Sequence, residues 1–266
     1  MPLITVNEKR IHYADWKPDG DARETFVFTH GLGSSQNFYA AVAPILVKDG
    51  FRCIAYDTTG SARSPYTQVE QSVESLAEDV IALMDALGVS KAVHAGHSMG
   101  GIVSATLAAN HSDRIVATIW IGPVYPSPGV AGFIQKRIDA VEAEGMESMA
   151  NTVPYAAPAA NAPTIARLFI REVLLAQDPA GYVSNCRVIT SAVRPPYEKI
   201  KIPLLLIAGE EDKSASLEGC EKMFDEVSTE SGEKRMVVMK GVGHWQCVEA
   251  PEETAKLILE FYHAIQ

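Results

Sequence analysis

The stretch that decides the fold is Gly96-His97-Ser98-Met99-Gly100-Gly101, a G-x-S-x-G pattern. It lies between an apolar run at residues 91–95 and an apolar helical segment at residues 102–109. On a sharp turn from a strand into a helix, glycines permit close backbone approach and the serine hydroxyl projects at the helix N-terminus, where the helix dipole favours a developing negative charge. The pattern therefore predicts a nucleophilic serine at position 98. A plain glycine-rich turn is the alternative, and the flanking strand and helix favour the nucleophile.

Short apolar runs alternate with helical patterns along most of the chain. Most runs are nearly continuous, which is typical of strands covered on both faces and hence of a parallel sheet. Two alternating segments, 3–6 and 11–16, predict a hairpin at the sheet edge. The other predicted strands are 25–30, 51–57, 91–96, 115–121, 204–208 and 235–239. The sequence therefore predicts an α/β fold with an eight-stranded, mostly parallel sheet.

One region, residues 123–196, interrupts this alternation because it contains no strand-like run. Helical patterns cover 132–144, 147–151, 163–176 and 179–189, and prolines 154, 158, 163 and 179 separate them. We predict a helical lid inserted after the sixth strand, at the end of the sheet where the strands terminate. The sheet domain then consists of residues 1–122 and 197–266, and the lid of residues 123–196.

A serine needs a general base and an orienting acid to become a strong nucleophile. In this architecture the chain order is serine, acid, histidine. Asp212 follows the predicted strand 204–208, and His244 follows the strand 235–239. These two residues are therefore the predicted acid and base. Glu210 and Glu211 remain alternatives for the acid.

Two backbone N–H groups are expected to stabilise the oxyanion of the reaction. One is that of Met99, which follows the nucleophile. The other comes from the loop after the third strand, His30-Gly31-Leu32-Gly33, where Leu32 is the expected donor. His30 is expected to brace this loop. A nucleotide-binding loop is disfavoured because neither G-x-G-x-x-G nor G-K-[ST] follows.

Composition excludes several classes of partner and site. The 266 residues include 23 Lys and Arg against 33 Asp and Glu, a net charge of −10, which disfavours nucleic acids and anionic membrane surfaces. The sequence contains no run of about 18 apolar residues, so it predicts no membrane span. The four cysteines show no metal-binding spacing and suit a reducing compartment, so we expect a cytoplasmic protein without cofactor or metal. The oligomeric state is left open.

Several motifs together resemble those of the α/β-hydrolase superfamily. They are the loop at 30–33, the Asp57, Gly60 and Ser64 turn, the Ser98 stretch, and the segments ending at Asp212 and His244. Within that superfamily, residues 30–35 and 178–189 are similar to the 3-oxoadipate enol-lactonase group. The chain also resembles, more distantly, the strigolactone and karrikin receptor hydrolases.

The resemblance implies a serine hydrolase that acts on the carboxylic ester bond of a small lactone or ester. A butenolide hydrolase or receptor with slow turnover is one alternative, and a hydrolase of a larger lactone or ester is another. Substrate contacts are expected from aromatic residues, namely Phe133, Tyr155, Phe169, Tyr182 and Trp245. If the substrate carries a carboxylate, the candidate partners are Arg137, Arg167, Arg171, Arg187 and Arg194.

Overall fold

The sheet of the protein has eight strands. The computed structural model describes residues 2–266, and the strand order is β1-β2-β4-β3-β5-β6-β7-β8. The β1–β2 hairpin forms one edge, β2 runs antiparallel to β4, and all the other neighbours are parallel. The predicted mostly parallel sheet is thus confirmed. The strands are β1 Leu3–Val6, β2 Lys9–Trp16, β3 Thr25–Thr29, β4 Arg52–Tyr56, β5 Ala92–His97, β6 Ile115–Ile121, β7 Leu204–Gly209 and β8 Lys234–Met239.

The central strands are apolar at nearly every position because both faces of the sheet are covered. In β7 all six residues are buried. Leu205 and Ile207 belong to the larger hydrophobic core, whereas Leu204 and Leu206 belong to a second, smaller core that includes Trp120. Successive side chains of a strand point to opposite faces, so a continuous apolar run supplies both cores.

Ten α-helices surround or extend the sheet in the range 2–266. Several begin at a proline in the first turn, where the missing N–H costs no helical hydrogen bond. Short 3₁₀ helices occur at Gln36–Tyr39 and Tyr197–Lys199. The α-helices are α1 Ala43–Lys48, α2 Val73–Ala86, α3 Met99–Asn110, α4 Pro128–Glu144, α5 Met146–Ala156, α6 Thr164–Leu175, α7 Pro179–Thr190, α8 Leu217–Glu226, α9 Gln246–Glu249 and α10 Pro251–Ala264.

The helical insert, α4 to α7, follows β6 as predicted. Its internal boundaries differ from the prediction at Pro154, which was expected to end a helix but lies inside α5. Proline removes one backbone hydrogen bond. Here Val153 and Pro154 are both buried, α5 packs against α6, and the helix continues to Ala156. The packing of α5 against α6 therefore outweighs the cost of the hydrogen bond that Pro154 removes.

Helix α7 attaches the insert to the sheet domain. The backbone of Gly181 contacts that of Gly60 so closely that a Cβ on either residue would meet the other's main chain. Beside this contact, the amide of Gln177 accepts from Ala62 N at 3.2 Å and donates to Ser34 O at 3.2 Å. The amide of Asn185 donates to Thr59 O at 3.2 Å.

Substituting Gly181 with alanine should therefore push α7 off the turn at Gly60. We expect the free energy of unfolding to fall by about 2 kcal/mol, the usual size of an overpacking penalty. Gly132→Ala is the matched control, because Gly132 lies in α4 and has open space where the added Cβ would stand. That change should leave stability equal or raise it by up to about 1 kcal/mol. Urea unfolding of both variants measures the difference, and equal stabilities would contradict the role of the Gly60–Gly181 contact.

Candidate active site

Ser98 occupies the turn between β5 and α3 in a conformation that serine rarely adopts. Its φ is +56° and its ψ is −114°. Gly96 and Gly100 make this turn possible, because a Cβ on Gly96 would collide with Gly100 O and a Cβ on Gly100 would collide with Thr29 O. Such strain persists only where surrounding structure enforces it, and it is concentrated at functional sites.

The three side chains predicted as a triad lie in one hydrogen-bonded chain. His244 Nδ1 donates to Asp212 Oδ2 at 2.7 Å, which leaves Nε2 to accept from Ser98 Oγ at 3.0 Å. The side chain of Asp212 is buried, and its second oxygen accepts from the N–H groups of Ser214 and Ala215, both at 2.8 Å. The carboxylate is thus fixed in one orientation toward the imidazole.

The two alternative acids, Glu210 and Glu211, form hydrogen bonds with backbone groups away from His244. Glu210 accepts from Gly241 N at 2.9 Å, and Glu211 accepts from Ala160 N at 2.9 Å. Their carboxylates hold loop backbone, and within residues 2–266 only Asp212 accepts from the His244 ring. The geometry therefore favours Asp212 over both glutamates.

Glu249, at the end of α9, holds the His244 loop from both sides. Its carboxylate accepts from Gly243 N at 3.0 Å and from Trp245 N at 2.8 Å, the residues that flank His244. The same carboxylate accepts from Ala159 N of the insert at 2.8 Å. Sequence reasoning missed Glu249, because an acidic residue beside a helix end is usually a surface residue.

The loop after β3 passes directly beside Ser98. A Cβ on Gly31 would lie 2.8 Å from Ser98 Cβ. In the described part of the chain, the backbone N–H groups of Leu32 and Met99 have no hydrogen-bond acceptor within the protein. Both are therefore free to donate to an oxyanion. His30 braces the loop as expected: its Nδ1 donates to Gly31 O at 2.8 Å, and its Nε2 accepts from Thr58 N at 3.1 Å.

His97 packs next to the imidazole of His244. Its Nε2 donates to the His244 carbonyl at 2.7 Å, and its ring stacks on Phe38 at 4.1 Å between centroids. Burial, reinforced by the nearby His244, lowers the pKa of His97 well below its ordinary value. His97 is therefore neutral at neutral pH.

Ser98 and His244 open onto a cavity of about 430 Å³ between the sheet and the insert. Of the five aromatic residues predicted to contact substrate, Phe133 and Trp245 line it. The other three lie outside its wall. Tyr155 is 71% exposed, Phe169 packs on Trp245 at 6.4 Å between centroids, and Tyr182 is buried close to Gly33. Substrate contact by these three residues stays a prediction, and the cavity lining favours Phe133 and Trp245 over them.

Two kinds of feature are absent from residues 2–266. No group of three or more His, Cys, Asp or Glu side chains there is placed to hold a metal ion. No helix in that range has the length and apolarity needed to cross a bilayer.

Comparison with known proteins gives consistent matches. The family model described as serine aminopeptidase, S33, matches residues 20–251. The 3-oxoadipate enol-lactonase 2 of Acinetobacter baylyi is 30% identical over 216 residues, covering 79% of this chain and 78% of that protein. The putative carbamate hydrolase RutD of a Caulobacter species is 27% identical over 248 residues, 90% of each chain. The crystal structure of the enol-lactonase from Burkholderia xenovorans superimposes with a TM-score of 0.89 at 28% identity, covering 98% of this chain and 100% of that one.

Proposed function

The chain belongs to the α/β-hydrolases, in the family described as serine aminopeptidase, S33, and from this premise we propose that it hydrolyses a small lactone or ester through an acyl-enzyme. The observation that carries the proposal is the hydrogen-bonded chain from Asp212 through His244 to Ser98, at the wall of a cavity. The relatives named as enol-lactonases support the substrate class.

In the proposed first step, His244 Nε2 takes the proton of Ser98 Oγ as that oxygen attacks the substrate carbonyl. Asp212 holds the ring and stabilises the imidazolium, while the N–H groups of Leu32 and Met99 donate to the oxyanion. Collapse of the tetrahedral intermediate breaks the acyl–oxygen bond, and His244 returns the proton to the leaving oxygen. Water activated by His244 then cleaves the acyl-enzyme and frees the acid.

A lactone suits this site for a chemical reason. Its leaving oxygen stays tethered to the acyl group, so one pocket must hold both halves after the ring opens. If that oxygen leaves as an enolate, tautomerisation to a ketone makes the opening effectively irreversible. The cavity volume of about 430 Å³ lies at the small end of ligand pockets and supports a small substrate.

We further propose that residues 123–196 act as a lid on a sheet domain made of residues 1–122 and 197–266. Phe133 and Ile134 of α4, Val153 of α5 and Leu174 of α6 line the cavity, so the insert supplies much of its apolar wall. Substrate selection would then depend mainly on the insert, and the chemistry on the sheet domain.

The cysteines bear on the compartment. Cys53, Cys186, Cys220 and Cys247 are all free and buried. Free thiols persist in a reducing environment, and this supports action in the cytoplasm.

Steady-state hydrolysis of a small panel tests the proposal. The panel contains 3-oxoadipate enol-lactone, a synthetic butenolide and 4-nitrophenyl acetate. We expect multiple turnovers on the enol-lactone or the simple ester, at about 1 s⁻¹ or faster on the preferred substrate, within the usual range for enzymes. Near-single turnover of the butenolide, with no cleavage of the other two, would contradict the enzyme and support the slow receptor-like hydrolase.

A further inference from the structure

One of the five arginines of the insert differs from the other four in its partners. Arg137 makes no ion pair within the described residues and lines the cavity. The other four are held by carbonyl or carboxylate oxygens of the protein: Arg167 donates to the carbonyls of Pro154, Ala159 and Ala160, Arg171 pairs with Glu147 and Glu172, Arg187 with Glu70 and Glu142, and Arg194 with Glu198 and Glu226.

The surroundings of Arg137 are aromatic and partly shielded from water. Its guanidinium carbon lies 4.9 Å from the ring centroid of Phe133, which also lines the cavity. Burial raises the pKa of the Tyr182 hydroxyl, and the charge of nearby Arg137 opposes that shift. Arg137 is half-buried, so an anion beside it would be screened less than at an exposed site.

The charged side chains that line the cavity are mainly cationic, although the protein as a whole is negative. Of the charged residues that line it, three are cationic, Arg137, Lys213 and Lys222, and one is acidic, Glu218. The whole chain has a net charge of −10. A local excess of positive charge around a reactive serine favours a substrate of opposite sign.

Arginine is better placed than either lysine to bind that charge. Lys213 and Lys222 are exposed, and the ammonium of Lys222 already lies 4.6 Å from the ring centroid of Tyr125. A guanidinium presents parallel N–H donors that match the two oxygens of a carboxylate. Arg137 is therefore the cavity cation best suited to orient a bound carboxylate.

We propose that Arg137 binds a carboxylate on the substrate, so that the preferred substrate is an anionic lactone or ester. This inference rests on the proposed function, because it takes Ser98 as the group that attacks the ester carbonyl. Arg137 would act in specificity: it would hold the carboxylate and orient the ester carbonyl toward Ser98.

The test compares two esters of equal chain length, mono-4-nitrophenyl adipate, which is anionic, and 4-nitrophenyl hexanoate, which is neutral. Each is assayed with the wild type, Arg137→Gln, Arg137→Lys and the control Arg171→Gln, with uncatalysed hydrolysis subtracted. We expect the wild type to prefer the adipate ester, and Arg137→Gln to lose about 10- to 100-fold in kcat/KM on that ester alone, as for loss of a charge-assisted pair. Arg137→Lys should recover part of the loss, and Arg171→Gln should match the wild type.

Equal rates on the two esters, or an equal loss on both in Arg137→Gln, would overturn the assignment of Arg137. A wild-type preference for the adipate ester that survives in Arg137→Gln would overturn it too, and would favour the two lysines. The proposed function fails separately, if neither ester is turned over by the wild type or if both are still turned over by Ser98→Ala. Equal melting temperatures of the variants confirm that folding is not the cause of any loss.

Discussion

Ser98→Ala is expected to lower kcat by about 10⁴-fold or more, since loss of the nucleophile in a serine triad removes covalent catalysis entirely. The remaining rate would come from substrate binding and from the N–H groups of Leu32 and Met99. The substitution removes one oxygen and leaves the turn intact, because alanine meets the same backbone restriction as serine at φ +56°. Release of 4-nitrophenolate in single- and multiple-turnover assays measures the effect.

Ser214→Ala is the matched control for this change. Ser214 lines the same cavity, and its contact with Asp212 uses the backbone N–H, which alanine retains. We expect activity within about twofold of the wild type, as for a substitution that touches no reacting group. Equal activities of Ser98→Ala and the wild type would refute the acyl-enzyme mechanism.

The second large effect is expected from Asp212→Asn, a loss of about 10⁴-fold in kcat, the size known for the same change in a serine triad. The structure explains why kcat should fall. Ser214 N and Ala215 N both donate to Asp212 Oδ1, so an asparagine would place its carbonyl oxygen there. Its NH₂ group would then face His244 Nδ1 and force that nitrogen to accept. The proton would move to Nε2, which could no longer take the proton of Ser98.

Glu210→Gln and Glu211→Gln provide matched controls, since each also neutralises one carboxylate in the same loop. Both glutamates bind backbone N–H groups away from the imidazole. We therefore expect kcat within about threefold of the wild type, with any loss confined to stability. A loss in either variant as large as that in Asp212→Asn would assign the acid to a glutamate instead. The pH profile of kcat/KM, recorded for all three variants, distinguishes a lost base from a local distortion.

The sheet could be predicted from sequence because its strands are apolar on both faces. All eight predicted strands occur, with boundaries that differ from the prediction by at most two residues. The Ser98 turn was equally predictable, because steric rules restrict Gly96 and Gly100 to glycine. The proximity of Asp212 and His244 followed from strand ends meeting at one edge of a parallel sheet.

The wall of the cavity was harder to predict because it depends on how each helix of the insert is rotated. Phe133 and Tyr155 are both helical and both substantially exposed, yet only Phe133 borders the cavity. Periodicity within one helix does not specify its orientation toward a helix that packs against it. Glu249 was missed for a related reason: one of its three backbone partners, Ala159, is 90 residues away in sequence, and only the folded chain brings it beside the other two.

The contact between Glu249 and Ala159 joins access to the cavity with the alignment of His244. One carboxylate bonds the backbone of the insert and both neighbours of the histidine, and His244 N itself donates to Ala157 O at 2.9 Å. Displacing residues 157–159 would therefore strip hydrogen bonds from the histidine loop at the same moment. The position of the His244 imidazole thus depends on residues 157–159 of the insert as well as on Asp212, so a displaced insert is expected to leave Ser98 with a poorly aligned base.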